Sequence, residues 1–551
     1  MSGQRMRRMS ANRGGSLFGG GGAMGRPTRR DVLRGMAVGT GALVAPGWLA
    51  GCSDSSTSTS TSTSSSSSQG EPKRGGTIRM GGAGGGATDS IDAHKPVTKL
   101  DIARVHQLYE PLMIRDANFE LVPMAAESVE PNKELTVWTA RIREGLTFHD
   151  GRPVRPEDVI ATFQRILDPQ TAASGAQLLS FLDPKNGLKK LDSRTVEFRL
   201  EKPSALFLDA ISEYFQGIVP EDYDPADPVG AGPFVYESFQ PGRQSVFTRN
   251  DEYWQEGEPY IDELVIIDFP DDSARVNALL GGQVEAIESV PYGQISTVES
   301  DGGFTLLKSE TGNWNPFTMR VDVTPFSDER VRQAMRLLVD RQQMIDVVLV
   351  GNGAIANDIY CPGDPCYNDQ LPQREQDIDQ AKSLLASAGQ EGLQVELTTS
   401  PVAQGIVEAA TVFAEQARAA GVDVKLNKVD TGVFYGDDYL SWPFAQDFWG
   451  TRSFLAQVAQ GSLPGSPFNE THWEDPEFID LVTAAEQEPD ENKRCTLIQD
   501  AQAIEYERGG HIVWGFINLV DAHGTDVAGL ETNVAGHALD RYGFRHAWLA
   551  T

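Results

Sequence analysis

The residues most able to support chemistry in this 551-residue chain are four cysteines and eight histidines. The histidines are scattered, and no further Cys or His lies beside them at the spacing that a zinc site needs. The chain also lacks a Gly-x-Ser-x-Gly elbow, a His-Glu-x-x-His pair and a Walker loop. We therefore expect no metal, no cofactor and no catalytic group.

Three of the cysteines lie in the second half of the chain. Cys361 and Cys366 flank a Pro/Gly turn that can bring two sulfurs together, and an oxidising compartment favours a disulfide between them. Cys495 falls on the apolar phase of a helical pattern, which predicts a buried small hydrophobic side chain.

The fourth cysteine, Cys52, stands between a short apolar run and a tract of Ser and Thr. Residues 35–50 are apolar but too short to span a bilayer comfortably, and the Arg29-Arg30 pair before them resembles the twin-arginine export signal. The LAGC sequence that ends at Cys52 resembles the lipobox of bacterial lipoproteins. These features predict that residues 1–51 are a cleaved signal peptide and that a lipid on Cys52 holds the protein at the cell membrane. The alternative is an uncleaved apolar tail with a buried thiol.

The mature chain begins with a linker and is strongly acidic. Residues 52–74 form a Ser/Thr-rich linker, which is expected to be a flexible tether. The whole chain has a formal charge of −31 and becomes more acidic when the Arg-rich leader is removed, which argues against nucleic acid as a partner. The rest is long enough for two or three domains, and no later apolar run reaches transmembrane length.

Helical and strand patterns alternate along the mature chain, which favours an α/β fold. Amphipathic helices are predicted at 156–166, at 328–340 with Ser327 as the cap, and at 377–388. Strands are predicted at 77–80, 195–200, 245–248, 264–269, 393–397 and 422–426.

A glycine-rich loop follows the first strand. Residues 82–87, GAGGGA, satisfy the pattern G-x-G-x-x-A, but residues 88–96 lack an apolar helical stripe and end in a proline. A dinucleotide site is therefore not expected. A flexible connection remains one interpretation of this loop.

A series of short motifs supports a family resemblance, because each is weak alone but all are collinear. They are GGTIR at 75–79, YEPL at 109–112, GLTFHDG at 145–151, EDV at 157–159, GAGPF at 230–234, RNDEYW at 249–254, PDD at 270–272, DERVRQA at 328–334 and AKSLL at 381–385. In this order they resemble the family 5 extracellular solute-binding proteins, the peptide, nickel and oligosaccharide binders of bacterial ABC importers.

The resemblance implies a two-lobe periplasmic-binding-protein fold of type II, with an extra subdomain inserted in the first lobe. It implies lobe I at 75–116, 229–310 and 511–551, the inserted subdomain at 117–228, and lobe II at 311–510. The hinge is expected near 310–314 and 508–515. A solute bound between the lobes would favour the closed form that a permease recognises.

The resemblance also points to Arg452 as a ligand contact. In peptide-binding relatives, a Trp is followed three residues later by an Asp that holds the α-ammonium group of the peptide. Here Trp449 is followed by Arg452, so the sign of the charge is reversed. A desolvated Arg prefers a planar anion, which favours a carboxylate ligand. The alternative is that Arg452 pairs with a neighbouring acid such as Asp447.

The remaining candidate ligand contacts are weaker. Trp449 is expected to face the cleft, whereas Trp314 either stacks on the ligand or fills the core of a lobe. The resemblance also implies that the glycine-rich loop lines the cleft. The other candidates are Gly85, Gly86, Thr88, Asn313 and Asn469.

We expect a monomeric, lipid-anchored receptor that captures a small polar solute and delivers it to an ABC permease. The solute is expected to be a peptide or an anionic amino-acid or sugar derivative. Two alternatives stay open: a surface-anchored hydrolase on the same scaffold, and a receptor that senses its ligand without transport.

Overall fold

The computed structural model describes residues 70–550. The predicted signal peptide, Cys52 and most of the predicted linker therefore lie outside the described residues. Within 70–550 the chain is a mixed α/β structure, as the sequence predicts. No helix in this part of the chain combines the length and the apolar character that crossing a bilayer requires.

The strands are short and spread over the whole described chain. They are β1 (Thr77–Ala83), β2 (Met113–Arg115), β3 (Leu121–Pro123), β4 (Ala126–Pro131), β5 (Val137–Ile142), β6 (Leu188–Lys190), β7 (Thr195–Arg199), β8 (Phe234–Gln240), β9 (Gln244–Arg249), β10 (Glu263–Phe269), β11 (Ala286–Ile287), β12 (Phe304–Trp314), β13 (Phe317–Met319), β14 (Gly353–Ile355), β15 (Gln394–Thr399), β16 (Asp423–Lys428), β17 (Phe444–Gln446), β18 (His511–Ile512), β19 (Gly515–Gly524), β20 (Val527–Ala528) and β21 (Trp548–Leu549).

The helices lie between these strands and cover the sheets. They are α1 (Lys99–Leu108), α2 (Pro156–Leu167), α3 (Phe207–Ile211), α4 (Asp272–Leu280), α5 (Ile295–Asp301), α6 (Glu329–Leu337), α7 (Arg341–Val348), α8 (Ile378–Ser387), α9 (Ile406–Arg418), α10 (Thr431–Phe434), α11 (Phe454–Gly461), α12 (Pro476–Gln487) and α13 (Glu491–Arg508).

The larger of the two main sheets has eight strands, drawn from both halves of the chain. Its order is β12-β19-β11-β1-β10-β9-β8, with β14 paired to β19 at its side. β1 runs parallel to both β10 and β11, whereas the outer strands pair antiparallel. The alternating residues Ile78 and Met80 of β1 and Leu264 and Ile266 of β10 are all fully buried, which explains why these segments form strands.

A second sheet, of five strands, has the order β16-β15-β17-β13-β18. α9 connects β15 to the parallel strand β16, so these elements form a β-α-β unit. The core between α9 and the sheet contains Leu397, Phe413 and Phe444, all with no exposed surface.

The chain crosses between the two sheets at two places. β12 ends in the large sheet at Trp314, and β13 begins in the second sheet at Phe317. β18 ends in the second sheet at Ile512, and β19 begins in the large sheet at Gly515. The second crossing lies within the segment 508–515 where the hinge is expected, and the first begins at Trp314, the last residue of the expected segment 310–314.

A four-stranded sheet with the order β4-β5-β7-β6 is built from chain that lies between β1 and β8 of the large sheet. α2 packs against it through Val159, Phe163 and Ile166, which have no exposed surface. Pro156 occupies the first turn of α2, so both the helix and its buried face agree with the prediction.

The predicted disulfide between Cys361 and Cys366 is wrong. Cys366 is bonded to Cys495, with 4.6 Å between their Cα atoms, and Cys361 is a free, buried thiol. The Pro/Gly turn keeps the sulfur atoms of Cys361 and Cys366 apart instead of bringing them together. Cys361 has a left-handed φ of 61° and enters the aromatic core, while the backbone N–H of Cys366 donates to Asp364 Oδ1. α13 then brings Cys495, which is half-buried, against Cys366.

The predicted start of α6 also needs a correction. Asp328, rather than Ser327, is the cap, because its side chain accepts a hydrogen bond from the N–H of Arg330. The strands at 195–200 and 264–269 and the helix at 377–388 are confirmed to within one or two residues.

Candidate functional site

Trp314 and Trp449 lie together where the chain crosses between the sheets. Their backbones form an isolated antiparallel bridge, with N to O distances of 3.0 and 2.9 Å, and their rings stack with centroids 6.1 Å apart. Tyr360 stacks on Trp314 at 4.9 Å. Both tryptophans are buried, and the indole N–H of Trp314 has no hydrogen-bond partner within residues 70–550. Trp314 therefore belongs to the core at the crossing.

Arg452 lies beside this aromatic stack. Its guanidinium is 5.1 Å from the ring centroid of Trp449, and Nη1 donates to Oε1 of Gln460 at 2.7 Å. The residue is 3 % exposed, so its charge is largely desolvated. Burial lowers the pKa of Arg452, and the carboxyl group of Glu213 opposes this shift.

Glu213 is the acid that faces Arg452. It directly precedes a short 3₁₀ turn, Tyr214–Gln216, in the chain between β7 and β8. Burial raises the pKa of Glu213 to about 8, although Arg452 acts in the opposite direction. Its Oε2 atom has no hydrogen-bond partner. No sequence motif marks Glu213, and we did not predict it.

Asp447 is not the acid that acts on Arg452. Its carboxylate accepts hydrogen bonds from the hydroxyl groups of Tyr435 and Tyr439, at 2.7 and 3.0 Å, and from the N–H of Phe448 at 2.9 Å. Burial, followed by the nearby carboxyl group of Glu470, raises the pKa of Asp447 well above its usual value.

A second acidic group, Glu470, lies near Trp449. Burial raises the pKa of Glu470 to about 8, although the side chains of Trp449 and Asp447 beside it act in the opposite direction, and one of its oxygens, Oε2, faces His511. His511 Nε2 is 3.7 Å from this oxygen, but burial lowers the pKa of His511 to about 3, so the imidazole is neutral. Both atoms of the Gln446 amide are also buried without partners.

Asn313 ties the end of β12 to the segment that carries Arg452. Its Oδ1 accepts from both the N–H and the hydroxyl of Thr451 at 2.8 Å, and its Nδ2 donates to the carbonyl of Gly536 at 3.4 Å. Gly536 has a φ of +83°, and a Cβ there would lie 2.6 Å from Thr451 Oγ1. The side chain of Asn313 therefore joins three segments at this point.

The glycine-rich loop is held in place by a different set of contacts. The N–H of Gly86 donates to Asp89 Oδ1 at 2.8 Å, and a Cβ on Gly85 would lie 2.5 Å from Asp268 Oδ2. Asp89 and Asp268 both pair with the buried Arg104. Thr88 is exposed. Within residues 70–550, no hydrogen bond or ring contact joins this loop to Trp314 or Trp449.

Asn469 is bound within its own loop. Its Nδ2 donates to the carbonyls of Leu463 and Trp473, and its Oδ1 accepts from Thr471 Oγ1 and from the N–H of Trp473. These bonds shape the loop that presents Glu470. The role that they support for Asn469 is therefore one of positioning.

The group of Glu213, Asn313, Trp314, Trp449 and Arg452 is called the Arg452 cluster below. Buried polar atoms in proteins are nearly always hydrogen-bonded, so a concentration of partnerless atoms requires an explanation. Around the cluster such atoms occur in Glu213, Gln216, Trp314, Gln446, Ser453 and Gln457. They include both hydrogen-bond donors and acceptors. The arrangement fits a cleft that completes its hydrogen bonds with a small polar solute.

Two sheets joined by two crossings, with partnerless polar groups at the junction, define a protein that binds a solute between lobes. The sequence model of the bacterial extracellular solute-binding proteins, family 5 Middle, matches residues 120–458, more than half of the chain. The chain belongs to this family of extracytoplasmic solute-binding proteins.

Individual relatives agree with this assignment. The dipeptide-binding protein of Escherichia coli K12 is 26 % identical over 470 residues, which cover 78 % of this chain and 85 % of the relative. The Helicobacter pylori protein DppA, solved with the peptide STSA, has a TM-score of 0.74 and 21 % identity over 87 % of this chain and 99 % of its own. The protein AgaA of A. tumefaciens R10, solved with agropinic acid, has a TM-score of 0.74 and 24 % identity over 86 % and 99 %. The two-lobe α/β fold of periplasmic binding proteins is thereby confirmed.

Proposed function

We propose that this protein is the lipid-anchored receptor of an ABC importer, and that it delivers a small carboxylate-bearing solute to the permease. The solute is a short peptide or an anionic amino-acid or sugar derivative. The observation that carries the proposal is the proximity of Arg452 and Glu213, a buried guanidinium and a buried carboxyl group from distant segments of the chain.

The chemistry of the Arg452 cluster suggests how such a solute is oriented. A guanidinium can grip both oxygens of a carboxylate, and the Trp449 ring beneath Arg452 keeps water away from that contact. Glu213 has a partnerless oxygen that can accept from an ammonium or hydroxyl group of the same solute. A solute with both groups would contact both of these buried side chains.

The relatives support this range of solutes without choosing within it. One relative is named as a dipeptide-binding protein, and two structural neighbours hold a peptide and agropinic acid. Peptides and agropinic acid both carry carboxyl groups, which fits a site built around a buried arginine.

We assign lobe I to 75–116, 229–310 and 511–551, the inserted subdomain to 117–228, and lobe II to 311–510. Glu213 then belongs to the inserted subdomain and Arg452 to lobe II. A solute that bridges them binds the closed form better than the open form, and this difference is what drives closure. Because one solute molecule completes the cleft, the receptor acts as a monomer.

Calorimetry on three proteins tests the binding site. A thermal-shift screen of di- and tripeptides and anionic amino-acid derivatives supplies the ligand, because saturation at about 100 times Kd stabilises by roughly 2.7 kcal/mol. Arg452→Ala should then weaken binding by roughly 2 to 5 kcal/mol, since the carboxylate is left buried and unpaired. Arg418→Ala, at an exposed arginine, is the matched control and should bind normally.

The opposite result would locate the site elsewhere. If Arg452→Ala binds the solute with unchanged affinity, Arg452 is a structural residue whose contacts are with Gln460 and Trp449. Arg452→Asp offers a second arm, because an acid at this position should weaken an anionic solute further. It should also favour peptides with a free amino terminus.

The anchor is tested separately through Cys52. Cys52→Ala should remove the site of lipidation and release the folded protein from membranes, because acyl chains contribute roughly 0.8 kcal/mol per buried CH₂ group. Metabolic labelling with a fatty acid and membrane fractionation measure the two effects. A variant that still incorporates the label would contradict the assignment of Cys52 as the lipidated residue.

A further inference from the structure

A second cavity of about 620 Å³ lies apart from the Arg452 cluster. Its walls come from residues 72–124, 233–260 and 529–548, so none of the residues of the Arg452 cluster lines it. Its volume is in the range of small-molecule sites in proteins, which is roughly 300 to 1,000 Å³.

One wall of this cavity carries a buried cation, Arg541. The residue is 8 % exposed, and its Nε atom has no hydrogen-bond partner. Within residues 70–550 no carboxylate lies at ion-pair distance from its guanidinium. Burial and the neighbouring Arg545 lower the pKa of Arg541 to about 10, so it stays charged at neutral pH. An unpaired buried charge is costly unless something completes it.

Within residues 70–550 no acid that lines the cavity forms an ion pair with Arg541, although Asp540, Asp116 and Glu110 raise its pKa from a distance. Glu258 accepts a hydrogen bond from His546 Nδ1 at 2.8 Å, and Glu110 accepts one from the hydroxyl of Tyr253. Asp116 accepts from two N–H groups of its own turn, and Glu531 is exposed to solvent. Asp540 is adjacent in sequence but forms no ion pair with Arg541.

The backbone around Arg541 is unusual. Residues 539–542 have φ angles between +48° and +60°, and none of them is glycine. The left-handed conformation costs roughly 1 to 2 kcal/mol for each L-residue. Such segments persist only where the surrounding structure holds them, and they occur often at ligand sites. Here the left-handed turn carries Arg541 on the cavity wall.

We propose that this cavity is a second binding site, in which Arg541 pairs with the carboxylate of a small organic anion. The guanidinium fork matches the two oxygens of a carboxylate. Aromatic rings of Tyr109, Trp254, Tyr542 and Trp548 line the rest of the cavity and provide apolar walls for the organic part. The site is independent of the solute cleft.

Phenylacetate and phenethylamine are matched probes, since they share a ring and differ in the sign of the charge. Calorimetry and thermal shift should show that phenylacetate binds the full-length protein and that phenethylamine does not. The affinity for phenylacetate should fall by at least about tenfold in Arg541→Gln. Ala117→Leu adds bulk to the lining while keeping the Arg541 side chain, and should give the same loss. Arg452→Ala should bind phenylacetate normally.

Several outcomes would overturn the proposal. They are no stabilisation by phenylacetate at any concentration, binding of phenethylamine in its place, and equal binding of phenylacetate by Arg541→Gln. Loss of phenylacetate binding in Arg452→Ala would show that the probe binds in the solute cleft instead. If inorganic phosphate binds as tightly as phenylacetate, an organic carboxylate is not the preferred ligand. If Arg541→Gln does not fold, Ala117→Leu alone decides the question.

Discussion

Breaking the disulfide between Cys366 and Cys495 should destabilise the part of the molecule that contains α13. The bond closes a loop of 129 residues. The chain-entropy relation for a loop of this length gives about 4.9 kcal/mol, and measured values for disulfides are typically 2 to 4 kcal/mol. We therefore expect Cys495→Ser to lower the free energy of unfolding by about 2 to 5 kcal/mol.

Urea unfolding of oxidised and reduced protein measures this loss. Reduction of the parent protein should reproduce the effect of Cys495→Ser, and reduction should change Cys495→Ser little further. Cys361→Ser is the matched control, because Cys361 is a free buried thiol and its variant should keep the full response to reduction. A Cys361→Ser protein that no longer responds to reduction, or a peptide map that joins Cys361 to Cys366, would refute the pairing.

Two further predictions concern buried charges near the second crossing. Arg336 donates to the carbonyls of Tyr506, Gly509 and His511, at 2.7 to 2.9 Å. Arg336→Met should therefore lower the free energy of unfolding in urea by at least about 3 kcal/mol, whereas Arg330→Met, at an exposed arginine, should lower it by under about 1 kcal/mol. Equal losses would contradict the buried role of Arg336. Burial raises the pKa of Glu505 from 4.5 to about 8, so the folded state holds the proton more tightly and loses stability as the pH rises through this window. Stability curves against pH should show Glu505→Gln more stable than the parent above pH 8 and similar to it below pH 4.5. A parent protein whose stability does not fall between pH 4.5 and pH 8 would contradict the raised pKa of Glu505.

Local pattern was sufficient to predict much of the fold. The stripe of Val159, Phe163 and Ile166 predicted the buried face of α2, because a helix places such residues on one side whatever it packs against. The turn at Gly151 is equally local, because the glycine adopts a φ of +82° and Asp150 accepts from the N–H of Arg152, two positions along the chain. These features depend on residues that are close in sequence.

The rest depends on tertiary contacts that no local pattern contains. Cys366 pairs with a residue 129 positions away because α13 packs beside its turn. Glu213 comes near Arg452 only because the chain between β7 and β8 packs, through Leu206, against Trp314 and Trp449 at the crossing between the sheets. The left-handed residues 539–542 include no glycine, so the usual sequence signal for that conformation is missing.

The most direct test of the account is a crystal structure of the protein with the solute that the thermal-shift screen identifies. We predict a solute enclosed between the two lobes, with its carboxylate hydrogen-bonded to the guanidinium of Arg452 and its ammonium or hydroxyl group at Glu213. A solute bound elsewhere, with Arg452 still donating to Gln460 and with Glu213 Oε2 still without a hydrogen-bond partner, would contradict the account.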